Sequence, residues 1–176
     1  MKTPSDDIDL QIRRKTRAQA APMYPIFLQG TGRTALVVGA GTVGSRKIRQ
    51  LIASNFRVWM IEPQPTQDFI ELAQQIPETL NISAAAFNPA LADNLNQQFH
   101  LVFACTNNSE TNKLIALWAH ANGALVNIAD NPEASDFANG ASFQAEGFTV
   151  VISSNGGAPG KTAEFKKRLL ELLTSS

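Results

Sequence analysis

The sequence is poor in cysteine, in net charge and in long apolar runs, and each shortage excludes a class of protein. Cys105 is the only cysteine in 176 residues, which excludes an internal disulfide and a cysteine-rich metal site. Fifteen basic and fifteen acidic residues cancel, which argues against the positive field of a nucleic-acid-binding protein. The chain lacks a run of about eighteen apolar residues, so no membrane-spanning helix is expected.

The composition is that of a folded, cytosolic protein. Apolar residues make up 44% of the chain and charged residues 17%, values that oppose wholesale disorder. The start of the chain is polar and lacks the apolar stretch that an export signal needs. Residues 1–22 carry a cluster of acidic residues and then a cluster of basic ones. They predict a flexible tail, or a short helix that orders on contact with an anionic ligand or a partner.

Short apolar segments alternate with amphipathic ones from residue 34 to residue 129. Strands are predicted at 34–38, 57–62, 80–87, 101–106 and 125–129, and helices at 45–54, 66–76 and 110–122. Such alternation is typical of βαβ units, which place helices on both faces of a parallel sheet. The predicted fold class is therefore α/β.

The pattern changes after residue 130. Segments 141–144 and 148–153 flank Glu146-Gly147 and predict a β-hairpin, and residues 162–173 predict a final helix. Three parts follow from this: a tail at 1–22, a nucleotide-binding domain at 23–130 and a small domain at 131–176.

A glycine-rich loop follows the first predicted strand and opens a helix. Residues 39–44 read Gly-Ala-Gly-Thr-Val-Gly, a G-x-G-x-x-G pattern in the context that dinucleotide binding requires. Gly39 permits the tight turn, Gly41 lets the backbone approach a pyrophosphate, and Gly44 lets the helix pack on the sheet. The helix N-terminus offers free N–H groups and a partial positive charge to the phosphates.

An acidic residue ends the second predicted strand. Glu62 is placed to accept hydrogen bonds from the adenosine ribose and to repel a 2′-phosphate, which favours NAD over NADP. The alternative is that Glu62 is a solvated strand end. We expect the cofactor to contact Gly39, Gly41, Thr42, Val43, Gly44, Glu62 and Pro63.

Five stretches, in order, resemble the precorrin-2 dehydrogenase family, the module that also forms the N-terminal part of siroheme synthase. They are Tyr24–Leu28 with Leu36–Lys47, Ala104–Asn108 with Asn112, Val126–Pro132, Asp136-Phe137, and Ser153–Pro159. The resemblance covers about residues 23 to 173. It implies a Rossmann domain followed by a small domain that dimerises with its copy in a partner. It also implies oxidation of the tetrapyrrole precorrin-2 to sirohydrochlorin by NAD⁺, with Fe²⁺ insertion in some members.

The resemblance also assigns roles to particular residues. Asp130 aligns with the family's catalytic aspartate, which acts as a general base; the alternative is that Asp130 caps the turn before Pro132. Thr106 and Asn107 lie at the carboxyl end of the fourth predicted strand and are expected beside the nicotinamide ribose. Residues 107–109 are equally suited to cap the following helix.

The histidines and several basic residues give weaker indications of metal or substrate binding. The two histidines, His100 and His120, stand apart from other ligand-type residues, so no metal site is assigned. Basic residues at 46–49 and 161–168 are placed to meet substrate carboxylates or simply to face solvent.

Two features depart from the family pattern. Gly140 stands where the family has proline, and the stretch after Pro159 lacks the usual arginine. Both lie on the substrate side. They keep open a non-catalytic NAD- or tetrapyrrole-binding module, and another small-molecule dehydrogenase of the same fold, as alternatives to the enzyme.

Overall fold

A parallel β-sheet forms the larger part of the chain. The computed structural model describes residues 23–154 and 159–174. The elements that build the sheet are β1 (Thr34–Val38), α1 (Thr42–Ala53), β2 (Arg57–Ile61), α2 (Gln67–Gln75), β3 (Leu80–Ser83), α3 (Pro89–Asn94), β4 (Leu101–Ala104), α4 (Ser109–Ala121) and β5 (Leu125–Ile128). The predicted tail at 1–22 lies outside the described residues.

The strand order of the sheet is β3-β2-β1-β4-β5, with every pair parallel. The order reverses direction at β1, which therefore lies next to the point where open α/β sheets bind ligands. Helices α1 and α2 contribute to the core on one face, and α3 and α4 to the core on the other. This confirms the predicted α/β fold class with helices on both faces.

The third strand is shorter than predicted. It ends at Ser83, and the chain then turns, with the Ala85 amide bonded to the Ser83 carbonyl. Helix α3 follows, which the sequence analysis did not predict. In the sequence, Asn88-Pro89 is the indication that a helix begins here. The Asn88 side chain caps the helix by accepting a hydrogen bond from Leu91 N at 2.8 Å, and Pro89 occupies the first helical turn.

The segment after β5 runs back along the outer edge of that strand. Asp136 N donates to Val126 O at 2.9 Å, and Val126 N donates to the Asp136 carboxylate at 2.7 Å. Ile128 N is bonded to Ser135 Oγ in the same way. An edge strand that would otherwise be open is thereby covered. The compact unit built around the sheet accordingly spans Ile26–Phe137 and extends beyond residue 130.

The described residues from Ala138 onward belong to a second compact unit. It contains β6 (Ala141–Ala145), β7 (Phe148–Ile152) and α5 (Pro159–Thr174), so the predicted hairpin and final helix are present. Glu146 and Gly147 both have positive φ, as a two-residue hairpin turn requires. Lys166 on α5 donates to Ser142 O on β6 at 2.6 Å.

None of the helices within the described residues is both long and apolar enough to cross a membrane.

The inner and outer faces of α4 provide a test of this packing. Ile115 is 0% exposed and lies in the core, whereas Leu117 on the same helix is 68% exposed. We predict that Ile115→Ala lowers the free energy of unfolding by about 2–5 kcal/mol, because it leaves a cavity. Leu117→Ala should change it by no more than about 0.5 kcal/mol. Urea denaturation measures both, and equal effects would contradict the packing described.

Candidate active site

The glycine loop packs tightly against the neighbouring strand. Gly39 has φ +90°, and a Cβ there would lie 2.5 Å from the Cys105 carbonyl oxygen. A Cβ at Gly44, in the first turns of α1, would overlap the Gly39 carbonyl oxygen. Both positions therefore require glycine for packing. The β1–α1 turn is held closely against the end of β4 as a result.

Gly41 differs from these two glycines because it faces open space. A Cβ at this position would meet nothing within 4 Å. Gly41 is the N-cap residue of α1; in the described structure no side chain caps this helix, and its first turn contains no acidic residue. Thr42 and Val43 are exposed in that turn. The space and the free N–H groups fit the pyrophosphate of a dinucleotide.

Glu62 lies against the glycine loop. One of its carboxylate oxygens accepts a hydrogen bond from Ala40 N at 2.7 Å, and the other accepts from Gln64 N at 3.1 Å. Glu62 directly follows β2, and the adjacent Pro63 is exposed. The carboxylate is therefore fixed beside the loop, where the adenosine ribose of a bound dinucleotide is expected.

A buried amide organises the turn after β4. Asn112 on α4 is 1% exposed, and its Oδ1 accepts from Thr106 N at 3.1 Å and from Thr106 Oγ1 at 2.7 Å. Its Nδ2 donates to Thr106 O at 3.1 Å. Asn107 is exposed, and Asn108 caps α4 by accepting from Thr111 N at 2.9 Å. Of the three residues suited to cap this helix, the structure selects Asn108.

Asp130 lies at the same edge of the sheet, beyond β5. Its Oδ1 accepts from Asn112 Nδ2 and its Oδ2 from Ser109 Oγ, both at 2.8 Å. The hydrogen bond from Ser109 is the main reason that the pKa of Asp130 lies below its usual range, and the bond from Asn112 acts in the same direction. Asp130 is exposed, so an ionised carboxylate is presented to the space above the sheet.

Asn131, rather than Asp130, caps the short turn that begins at Pro132. The Asn131 side chain accepts from Ala134 N at 3.2 Å. The capping role that the sequence analysis kept as an alternative for Asp130 is thus filled by its neighbour. Asp130 bonds instead to the first turn of α4.

Lys47 is neither exposed nor solvated, unlike the basic residues among which the sequence places it. It is 6% exposed, and its Nζ donates to Asn127 Oδ1 at 2.9 Å. The same Nζ lies 4.7 Å from the centre of the Phe103 ring. Burial lowers the pKa of Lys47. Its position as a buried link from α1 to β5 leaves it unable to meet a substrate carboxylate in this conformation.

A cavity of about 500 Å³ lies at the amino ends of the strands, at the other end of the sheet from the glycine loop. Its lining includes Arg33, Thr34, Arg57 and Thr79, which precede or begin β1, β2 and β3. Parallel α/β sheets bind ligands at the carboxyl ends of their strands. The glycine loop, Glu62, Thr106 and Asp130 all lie at that other edge, so this cavity is not the candidate site.

Gly41 and Gly44 make a matched pair for testing the loop. We predict that Gly41→Ala folds normally and weakens NAD⁺ binding at least about tenfold, because its Cβ occupies the space of the pyrophosphate. Gly44→Ala should lower the free energy of unfolding by about 3 kcal/mol, because its Cβ overlaps backbone. Calorimetry and urea denaturation measure the two effects. Undiminished NAD⁺ affinity in Gly41→Ala would place the cofactor elsewhere.

The sequence is similar to those of known proteins. A siroheme synthase from Chromobacterium violaceum is 31% identical over 150 residues, which are 85% of this chain and 31% of that protein. Siroheme synthase 2 from Aeromonas salmonicida is 34% identical over 150 residues, 85% of this chain and 29% of that protein. The chain thus spans about three-tenths of the length of these relatives.

Among solved structures, one titled "SirC, precorrin-2 dehydrogenase" has the same fold, with a TM-score of 0.69 and 23% sequence identity. The match covers 84% of this chain and 69% of that one. The family model described as "Putative NAD(P)-binding" matches residues 26–141, which include the glycine loop, Glu62, Thr106 and Asp130. The chain belongs to the family of NAD(P)-binding domains that this model describes.

Proposed function

We propose that this protein oxidises precorrin-2 to sirohydrochlorin, with NAD⁺ as the hydride acceptor. The observation that carries the proposal is Asp130, an ionised carboxylate held by Ser109 and Asn112 at the same sheet edge as the glycine loop. The names of the relatives, siroheme synthase and precorrin-2 dehydrogenase, support the choice of substrate.

The residues present fit a bound dinucleotide. The N–H groups at the start of α1, above Gly41, would hold the pyrophosphate. Glu62 would accept hydrogen bonds from the adenosine ribose, and Thr106 and Asn107 would lie on the nicotinamide side. NAD⁺, when bound, supplies the hydride acceptor for the oxidation.

Asp130 would take the proton. Oxidation of precorrin-2 by removal of a hydride also releases a proton, and an ionised carboxylate at the reaction site can accept it. Each oxygen of Asp130 accepts a side-chain hydrogen bond, one from Asn112 and the other from Ser109, and the exposed carboxylate can still accept a proton from the substrate. The same carboxylate would serve Fe²⁺ insertion, which displaces two pyrrole protons, in an enzyme that also makes siroheme.

The second compact unit would form the interface of a homodimer. Phe148 and Val151 on the hairpin and Phe165 and Leu172 on α5 are exposed apolar residues. Contiguous exposed apolar patches mark protein–protein contact surfaces, and we propose that these side chains contribute to one. We propose a nucleotide-binding domain, expected from the sequence at 23–130 and continuing to Phe137 in the compact unit of the sheet, followed by a dimerisation domain. The sequence-based boundary at 131 for the second domain thus moves to Ala138, and the protein is proposed to act in the cytosol.

The glycine at position 140 has a local structural reason. A Cβ there would overlap the Val151 side chain and would lie 3.0 Å from Ile152 O. The departure from the family's proline therefore reflects packing within the second unit. It does not by itself favour a non-catalytic binding module.

Replacing Glu62 tests the choice between NAD and NADP. Glu62→Gln keeps an oxygen for the Ala40 amide and removes the negative charge that would oppose a 2′-phosphate. We predict that the preference for NAD⁺ over NADP⁺ falls about tenfold, or about 1.4 kcal/mol. Glu78→Gln, at the amino edge of the sheet, is the matched control and should leave the preference unchanged. Calorimetric titration with both nucleotides measures it, and an unchanged ratio in Glu62→Gln would remove Glu62 from the site.

Replacing Asp130 tests the enzymatic proposal itself. The purified chain, given enzymatically prepared precorrin-2 and NAD⁺, should form NADH and sirohydrochlorin in equal amounts. Asp130→Asn keeps the shape and both contacts, with its oxygen accepting from Asn112 Nδ2 and its amide group donating to Ser109 Oγ, but it cannot accept the proton. Turnover should therefore fall by about 10²–10⁴. NAD⁺ affinity should stay within about twofold of the wild type, because Asp130 is not part of the proposed nucleotide contacts.

Asp68→Asn, on the exposed surface of α2, is the control and should retain full turnover. Full turnover in Asp130→Asn would disprove the role of Asp130. NAD⁺ binding by the wild type without any NADH formation would instead favour the non-catalytic module.

A further inference from the structure

The turn that contains Thr106 and the carboxylate of Asp130 share one rigid support. Asn112 uses Oδ1 for the Thr106 amide and hydroxyl, and Nδ2 for the Thr106 carbonyl and for Asp130. A backbone N–H can only donate, so the Oδ1 atom must face Thr106 N and the Nδ2 atom is left for Asp130. Asn112 is buried with all of these bonds formed, and it cannot rotate without breaking them.

Asn112 alone fixes only one oxygen of Asp130. A carboxylate held at one oxygen can still turn about that contact, so its plane and its free lone pairs are not defined. The second oxygen is bonded to Ser109 Oγ at 2.8 Å. Ser109 is one helical turn before Asn112 on α4, and residues at this spacing lie on the same side of a helix. Ser109 and Asn112 therefore donate hydrogen bonds to the two oxygens of Asp130 from the same side of α4.

We infer that Ser109 is a positioning residue for the proposed reaction: it completes the grip that sets the plane of the Asp130 carboxylate. This inference rests on the proposed function and assigns a role to a side chain that the sequence analysis considered only as a helix cap. Ser109 acts through Asp130 and does not itself exchange a proton with the substrate.

Several groups around Asp130 affect its pKa, and Ser109 is one of them. On α4, Lys113 lies near enough to lower the pKa of Asp130, although its own ammonium is bonded to Glu110 at 2.7 Å. Directly after β4, burial raises the pKa of Cys105 to about 11, so this thiol is neutral near pH 7 and adds no charge. The hydroxyl of Ser109 is the strongest of the groups that favour the ionised carboxylate.

The test compares Ser109→Ala, which removes the hydroxyl, with Ser109→Thr, which keeps it. Both changes are at an exposed position, so the variants should fold. The pKa of Asp130 is measured in the full chain by NMR titration of ¹³C-labelled aspartate, with Asp130→Asn used to assign the signal. We expect the pKa to rise in Ser109→Ala, because a donor to the ionised form is lost, and to return toward the wild-type value in Ser109→Thr.

Turnover provides the second measurement. In Ser109→Ala the acid limb of the kcat profile should move to higher pH, and kcat at neutral pH should fall about tenfold with KM nearly unchanged. Ser54→Ala, on the exposed C-cap of α1, is the matched serine control and should leave both measurements unchanged.

The outcomes separate this inference from the proposed function. If the wild type makes no NADH from precorrin-2, the proposed function fails and the assignment of Ser109 to that reaction fails with it. If the wild type is active but Ser109→Ala keeps the wild-type pKa of Asp130, the positioning role alone is overturned. A raised pKa with an unchanged kcat profile overturns it as well, because the hydrogen bond would then have no part in turnover.

Discussion

The close approach of the β1–α1 turn to the end of β4 is the constraint on which the candidate site depends. Gly39 lies against the Cys105 carbonyl, and Gly44 lies against the Gly39 carbonyl, with no room for a side chain at either position. This packing fixes where α1 begins, and no side chain caps the N–H groups of its first turn in the described structure. Gly41, which packs against nothing, is the part of the loop that remains available to a ligand.

The parallel sheet brings the remaining groups to the same edge. Glu62, Thr106 and Asp130 are distant in the sequence, but they follow β2, β4 and β5, whose carboxyl ends are aligned with that of β1 by the strand register. Helix α4 then links two of them, since Asn112 bonds to both Thr106 and Asp130. The glycine loop and the carboxylates of Glu62 and Asp130, for which we propose phosphate binding, ribose binding and proton acceptance, are brought to the carboxyl ends of the strands by the topology of the sheet.

The sequence predicts the strands, the glycine loop and the position of Glu62, because these depend on local pattern and on the order of elements. It does not predict the end of β3 at Ser83, because the apolar residues 84–87 resemble a continuing strand although the chain turns there. It also misses the burial of Lys47. Helical spacing alone does not reveal that this side chain reaches Asn127, which is distant in the sequence and becomes a neighbour only in the folded sheet.

Ser109 shows the same limit within the site. In the sequence it is one of three adjacent residues suited to cap α4, and nothing local distinguishes it from Asn108. The structure separates them, because Asn108 bonds to the helix backbone and Ser109 to the Asp130 carboxylate beyond a different strand. A role that depends on contacts between separate helices and strands can therefore be assigned only from the folded structure and not from the sequence.

We propose that a dinucleotide binds at the carboxyl ends of the strands, next to Asp130. The most direct measurement is an NMR titration of the ¹⁵N-labelled chain with NAD⁺, observed at the backbone amides. We expect saturable shifts at residues 40–45 and at residues 106–109, and none at Gly32, Arg33 and Arg57, which line the cavity at the amino ends of the strands. Shifts confined to that cavity would instead place the dinucleotide at the amino ends of the strands.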